Sequence, residues 1–194
     1  MPGAYPLLVQ GDLPHATDYG LSTSDFLHPP HVQLNFWHGT LDGMVGECDA
    51  AVLNKAIPGS TTNTIAVTYA HAVCVEDFLV HAMQGKPALS RAAGWEARTG
   101  VPLPSSPPAM WQEWSTGMKL NLAPFQEYAK SVYAETDAYV AGLSDADLDK
   151  KTQGPAGETT VGYMVAVILA THIPQHAGEV AALKGVHGAK GLPF

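Results

Sequence analysis

The sequence predicts an all-α four-helix bundle with a long crossover between its second and third helices. Three observations predict it. Four long segments carry apolar residues at helical spacing, no run of four to eight residues alternates with period two, and a Pro- and Gly-rich stretch separates the second segment from the third. At 194 residues, 46% hydrophobic and 14% charged, the chain suits one globular domain able to bury a sizeable core.

Residues 1 to about 27 hold turn formers without a sustained period and predict an irregular surface arm. The bundle is expected over about 28–185. Pro29-Pro30 opens the first helix, with Leu34, His38, Leu41, Val45 and Cys48 on one stripe; Gly39, Gly43 and Gly46 weaken it but suit close packing, and Pro58-Gly59 ends the segment. Ser60 and Thr61 are N-caps for the second helix, which carries Val67, His71, Cys74, Val75 and Phe78 on its stripe and stops at Gln84 before Gly85 and Pro87. The connection from Gly85 to Pro108 is long for a compact domain and reads as a crossover or a functional loop.

A short helix around Met110 to Thr116 precedes the third long helix, Asn121 to Ala141, with Leu122, Phe125, Ala129, Val132, Thr136 and Tyr139 on one face. Ser144 to Asp147 is a capped turn or short helix, and Gln153 to Gly157 a loop. The fourth helix starts at Thr159 or Thr160 and runs to Lys184-Gly185, with Val161, Val165, Ile168, Leu169, His172, His176, Val180 and Leu183 inward. The tail, 186–194, ends in Leu192-Pro193-Phe194 and packs on the body or on a partner subunit. Trp111, Trp114, Tyr128, Tyr133 and Tyr139 read as core or interface aromatics.

Net charge is −8, from 18 acidic against 10 basic residues, with no basic cluster. That excludes nucleic acid and anionic membrane surfaces as main partners, since both are held by Lys and Arg. The most apolar run, Val161 to Ala170, is far short of the roughly 20 residues that span a bilayer. Two cysteines, Cys48 and Cys74, make no disulfide framework, and the N-terminus lacks a signal stretch. A cytoplasmic protein is expected.

His172 and His176, four residues apart, project from one helix face a turn apart and could chelate one ion. The spacing alone serves equally for two hydrogen-bonded core histidines. Pro174 between them removes a backbone N–H and favours a kink. His71, on an apolar stripe of a different helix, adds a third imidazole. Three protein ligands plus an open position is the catalytic pattern for zinc, not the closed structural one.

His71 followed by Glu76-Asp77, together with the segment Thr171-His172-Ile173-Pro174-Gln175-His176-Ala177-Gly178-Glu179, resembles the DinB-like (YfiT-like) superfamily of metal-dependent enzymes. The resemblance covers roughly residues 30 to 185. It implies a four-helix bundle, a divalent ion held by His71, His172 and His176, and frequent homodimers. A proline between the paired histidines departs from the family pattern.

Other candidates have plainer alternatives. His38 could line the pocket as a fourth ligand or proton carrier, or be a hydrogen-bonded core histidine. Cys74, one turn from His71, could be a thiolate ligand or a small buried hydrophobe. Glu179 and Asp77 could accept from the ligands' N–H groups, or be solvated surface carboxylates. His15, His28, His31, His81 and His187 have nothing to recommend them. Zinc or nickel is expected over magnesium or calcium, because imidazole suits the former. The resemblance implies transferases that join a low-molecular-weight thiol to an electrophile, and a metal-dependent thiol S-transferase is the expected activity. A metal-dependent hydrolase and a non-catalytic, metal-binding stress-response module are the alternatives, and the fold alone does not choose among them. No catalytic residue is assigned beyond the ligands.

Overall fold

The computed structural model describes residues 23–103 and 115–194; of residues 23–29 only the backbone path is described. The elements are α1 (Thr23–Gly46), α2 (Ala50–Leu53), α3 (Ile65–Met83), a 3-10 turn (Leu89–Arg91), α4 (Trp95–Thr99), α5 (Leu122–Ala141), α6 (Asp145–Leu148), β1 (Lys151–Gly154), β2 (Gly157–Thr160), α7 (Val161–Tyr163), a π-helical stretch (Met164–Leu169) and α8 (Ala170–Val186). Helices α1, α3, α5 and α8 form the four-helix bundle. α1 and α3 lie on one diagonal, each packed against both α5 and α8.

Helix α3 is the centre of the molecule. Most of its residues are buried, including Thr68, Glu76, Asp77 and His81, and so largely apolar a helix belongs inside a core. By length and composition it could cross a membrane (mean hydropathy 1.2 over 18 residues), but 78% of that window is buried within the bundle. The core joins Leu41, Met44 and Val45 of α1 to Tyr69 and Val73 of α3, Phe125 and Tyr128 of α5, and Ile173, Ala177 and Val180 of α8. A second cluster, with Leu34, Leu79, Val140, Leu148, Met164 and Leu169, closes another part of the bundle.

Several boundaries differ from the sequence expectations. α1 begins at Thr23, so Pro29-Pro30 lie inside it and the arm does not reach residue 27. Proline's fixed φ is compatible with a helix, at the loss of the hydrogen bonds to the carbonyls of Asp25 and Phe26. The first segment breaks at Gly46, before the short α2, instead of running on to Pro58. α3 starts at Ile65, not at Ser60 or Thr61: the Thr64 hydroxyl accepts from Val67 N at 3.2 Å and caps it. Ser60 instead accepts from Thr62 N at 3.0 Å, a local turn that competes with helix. α5 begins and ends as expected, and the Ser144–Asp147 segment folds as α6 with its capping box.

No sheet was expected, yet residues 151–160 form an antiparallel hairpin with Lys151 opposite Thr160 and Gly154 opposite Gly157. Lys-Thr-Gln-Gly and Gly-Glu-Thr-Thr are polar on both faces, so no alternation betrays them, and the turn at Gly157 needs its φ of +125°. Thr160 then caps α7, accepting from Tyr163 N at 3.2 Å.

The crossover from α3 to α5 is nailed down at its start. Trp95 is 2% exposed and meets Tyr128 edge-on at a centroid distance of 4.4 Å. Gly100, at φ +71°, lets the chain pass against the backbone of Lys119, where a Cβ would lie 2.0 Å from a carbonyl oxygen. The helix expected around Met110 to Thr116 falls almost wholly outside the described residues, as do Trp111 and Trp114. In the tail, Leu192 packs on the core, while Phe194 lies 72% exposed beside Phe36.

Candidate metal centre

His71 projects from α3 and His172 and His176 from α8, two helices in direct contact. The three imidazoles converge: each offers one nitrogen, and these atoms lie within 4.8 Å of one another. The ring centroids of His71 lie 5.4 Å from His172 and 4.7 Å from His176, and those of the α8 pair 4.5 Å apart. Among the described residues no fourth His, Cys, Asp or Glu joins them.

The histidines are not in the middle of the core-facing stripe of α8, as their spacing from Ile168 and Leu169 suggested. That stripe runs through Leu169, Ile173, Ala177 and Val180, and both histidines flank it half-buried. The π-helical turns just before them (Met164–Leu169) change the phase of the face relative to a straight 3.6-residue helix. α3 behaves alike. Of its expected stripe, Val67 and Cys74 are buried, but His71, Val75 and Phe78 form its less buried edge, with Phe78 exposed, while Tyr69, Val73 and Val80 face the centre. The triad therefore sits half-buried at the rim of the core. Pro174 lies within α8 and leaves the Ala170 carbonyl without its usual N–H partner.

The residues fit a divalent ion. Two nitrogen ligands on one tetrahedral zinc stand about 3.3–3.4 Å apart, given bonds of about 2.0–2.1 Å; Nε2 of His172 and Nε2 of His176 are 3.2 Å apart. Burial first, then the neighbouring His176, pushes His71 down to about 4. Burial first, then His176 and His71, pushes His172 down to about 3. At neutral pH both are uncharged imidazoles, the form that ligates a metal. The buried Nδ1 of His172 has no hydrogen-bond partner, an unmet polar group at the site itself.

Of the other expected residues, Glu179 comes to the triad: its Oε2 is 2.7 Å from His176 Nδ1. Asp77 does not serve as an acceptor there. It is fully buried and accepts from Leu89 N (2.9 Å), Ser90 N (3.0 Å) and the Tyr128 hydroxyl (2.7 Å), with His81 Nδ1 2.9 Å away, so that it ties the crossover to α3. His38 is buried, with Nε2 3.0 Å from Glu76 Oε2 and its ring stacked 3.8 Å above Tyr133. Cys74 is buried beside the Tyr128 hydroxyl at 3.9 Å, and burial raises its thiol pKa far out of the thiolate range.

One polar network went unforeseen. Thr136 donates to Glu76 Oε1 (2.6 Å), Glu76 meets His38, and Tyr69 and Tyr133 both donate to Asp42 Oδ1 (2.6 and 3.2 Å). The available signal was Tyr69 and Glu76, seven apart in a helix otherwise read as apolar.

No curated protein matches the chain. A crystal structure of a conserved protein from Enterococcus faecalis superposes with a TM-score of 0.70 over 87% of this chain and 99% of that one, at 14% identity, which is a likeness of fold. The model of the DinB superfamily matches residues 33–180, from the first turns of the bundle to beyond the paired histidines. With that match over most of its length, the chain belongs to the DinB superfamily.

Proposed function

We propose that this protein holds one divalent transition metal, zinc or nickel, on His71, His172 and His176 and uses it to transfer a low-molecular-weight thiol to an electrophile. The observation that carries this is the trio of imidazoles at the half-buried rim of the core, with one nitrogen of each within 4.8 Å of the others and His71 and His172 held uncharged at neutral pH. When bound, such an ion with an open position keeps a coordinating thiol deprotonated at neutral pH, where a free thiol of pKa about 8.5 is only a few per cent thiolate. In the reaction the thiol gives its proton to solvent and its sulfur pair forms the bond to the electrophilic carbon. That carbon either releases an anionic leaving group or passes the charge to a neighbouring atom that is then protonated.

The chain's own cysteines support a thiol that arrives as cosubstrate. Cys74 is sealed in the core and Cys48 is pushed above its usual range, first by burial, so neither is an activated nucleophile. Two cysteines left unpaired also suit the cytoplasm. The test is a conjugation assay with a panel of small thiols and a reactive electrophile, comparing metal-loaded and stripped protein. Activity only in the loaded form is expected. Equal rates in both, or loss only in Cys74→Ser, would reject the mechanism.

We also propose a homodimer joined along the outer face of α1. Val32 and Phe36 are each 53% exposed there and Phe194 72%. From Val32 to Gly46 the only acidic or basic side chains are His38 and Asp42, both engaged inside the protein. For a chain of net charge −8 this is a face along which two copies meet without like-charge repulsion. Light scattering at micromolar concentration should give twice the chain mass, and Phe36→Lys should halve it.

A further inference from the structure

The positions of the protons in the histidine pair can be read from three observations. The Glu179 carboxylate, 2.7 Å from His176 Nδ1, can only accept, so in a neutral ring Nδ1 carries the proton and Nε2 keeps its lone pair. The two Nε2 atoms are 3.2 Å apart and one proton must lie between them, so it belongs to His172. That leaves His172 Nδ1 bare, and Nδ1 is the buried nitrogen with no partner. A buried acceptor left unmatched is better tolerated than a buried N–H left unmatched, which agrees with the assignment.

We propose that Glu179 is a positioning residue that imposes this single proton order on the metal-free His172–His176 pair: Glu179 accepts from His176 Nδ1–H, and His176 Nε2 accepts from His172 Nε2–H. His176 is then preset as a ligand, with Nε2 bare and its ring held. His172 is not. Its proton must pass from Nε2 to the buried Nδ1 before Nε2 can ligate, so His172 sets the threshold for metal entry. The proton order concerns the metal-free protein and stands by itself; only its bearing on metal entry rests on the function proposed above.

The experiment uses full-length, metal-stripped protein with ¹⁵N-labelled histidine at pH 8, where long-range ¹H–¹⁵N spectra separate protonated from bare ring nitrogens. Wild type should show His176 protonated at Nδ1 and His172 at Nε2. Glu179→Ala should erase the preference in both rings, with an unchanged circular dichroism spectrum, and weaken zinc binding by about 10- to 100-fold. Glu179→Asp should restore part of the order. A wild-type His176 protonated at Nε2, or ring signals unchanged in Glu179→Ala, would overturn the proposal, and equal zinc affinity in wild type and Glu179→Ala would overturn its bearing on metal entry. If wild type shows the order but takes up no zinc, the metal reading fails and the proton order remains.

Discussion

Two of the places where a histidine meets a carboxylate along one helix, His81 with Asp77 on α3 and His176 with Glu179 on α8, are built to opposite rules. At Asp77 everything is matched: two backbone N–H groups, a tyrosine hydroxyl and His81 surround a fully buried carboxylate. At the triad the imidazoles face one another, a ring nitrogen is left unmatched, and the one carboxylate stands in solvent. The first arrangement discharges its desolvation cost within the chain and fastens the crossover. The second leaves part of that cost standing, in the unmatched His172 Nδ1. Residue type is the same in both; saturation separates scaffold from candidate site.

The comparison breaks most easily at Asp77. Asp77→Ala leaves buried donors from three elements without an acceptor and should cost about 3–5 kcal/mol, read as a fall in the urea midpoint. A loss under about 1 kcal/mol would mean the node is not structural. Acid is next. His71 and His172 sit below the ordinary 6.5 of imidazole, so the folded state binds fewer protons than the unfolded chain. Stability of the metal-free protein is therefore complete above pH about 6.5 and declines as the pH falls toward about 4. Thermal melts across that range should show the decline, and His71→Gln with His172→Gln should flatten it.

His172→Ala should change the stability of metal-free protein by less than about 1 kcal/mol, because it removes an unsatisfied nitrogen along with its packing. Elemental analysis of the same variant, purified without a histidine tag, should show its metal largely gone. Unchanged metal content would remove His172 from the ligand set. The smallest effect on function is expected for Cys74→Ser, with conjugation activity retained and a stability loss of about 1 kcal/mol by urea titration, since the Tyr128 hydroxyl stands ready to partner the new one.

The histidine set was legible because its signal is local and chemical: two residues four apart on one helix and a third mid-helix on another. The third long helix was legible because Phe125, Ala129, Val132 and Thr136 repeat with helical period. What escaped depends on partners far along the chain. Nothing near Asp77 in sequence says that Leu89, Ser90 and Tyr128 will surround it, and so a buried anchor looked like a candidate acceptor for ligand N–H groups. The burial phase of the last helix escaped because the π turns before His172 break the 3.6-residue count on which the reading relied. The hairpin escaped because its strands are polar on both faces. Glu179 was legible as a candidate, but only the 2.7 Å contact with Nδ1 makes it a partner of His176 in particular.

The deep burial of α3 has a further consequence for how the chain is made. During synthesis Ile65–Met83 leaves the ribosome well before α5 and α8 exist to cover it, and for that interval it is an uncovered apolar segment of membrane-spanning length. Glu76 and Asp77 lie in its second half, and each acidic side chain in mid-span opposes insertion by the translocon by about 2.5–3.5 kcal/mol. The two carboxylates that organise the interior of the folded protein thus also raise the cost of any transfer of the nascent helix into a bilayer.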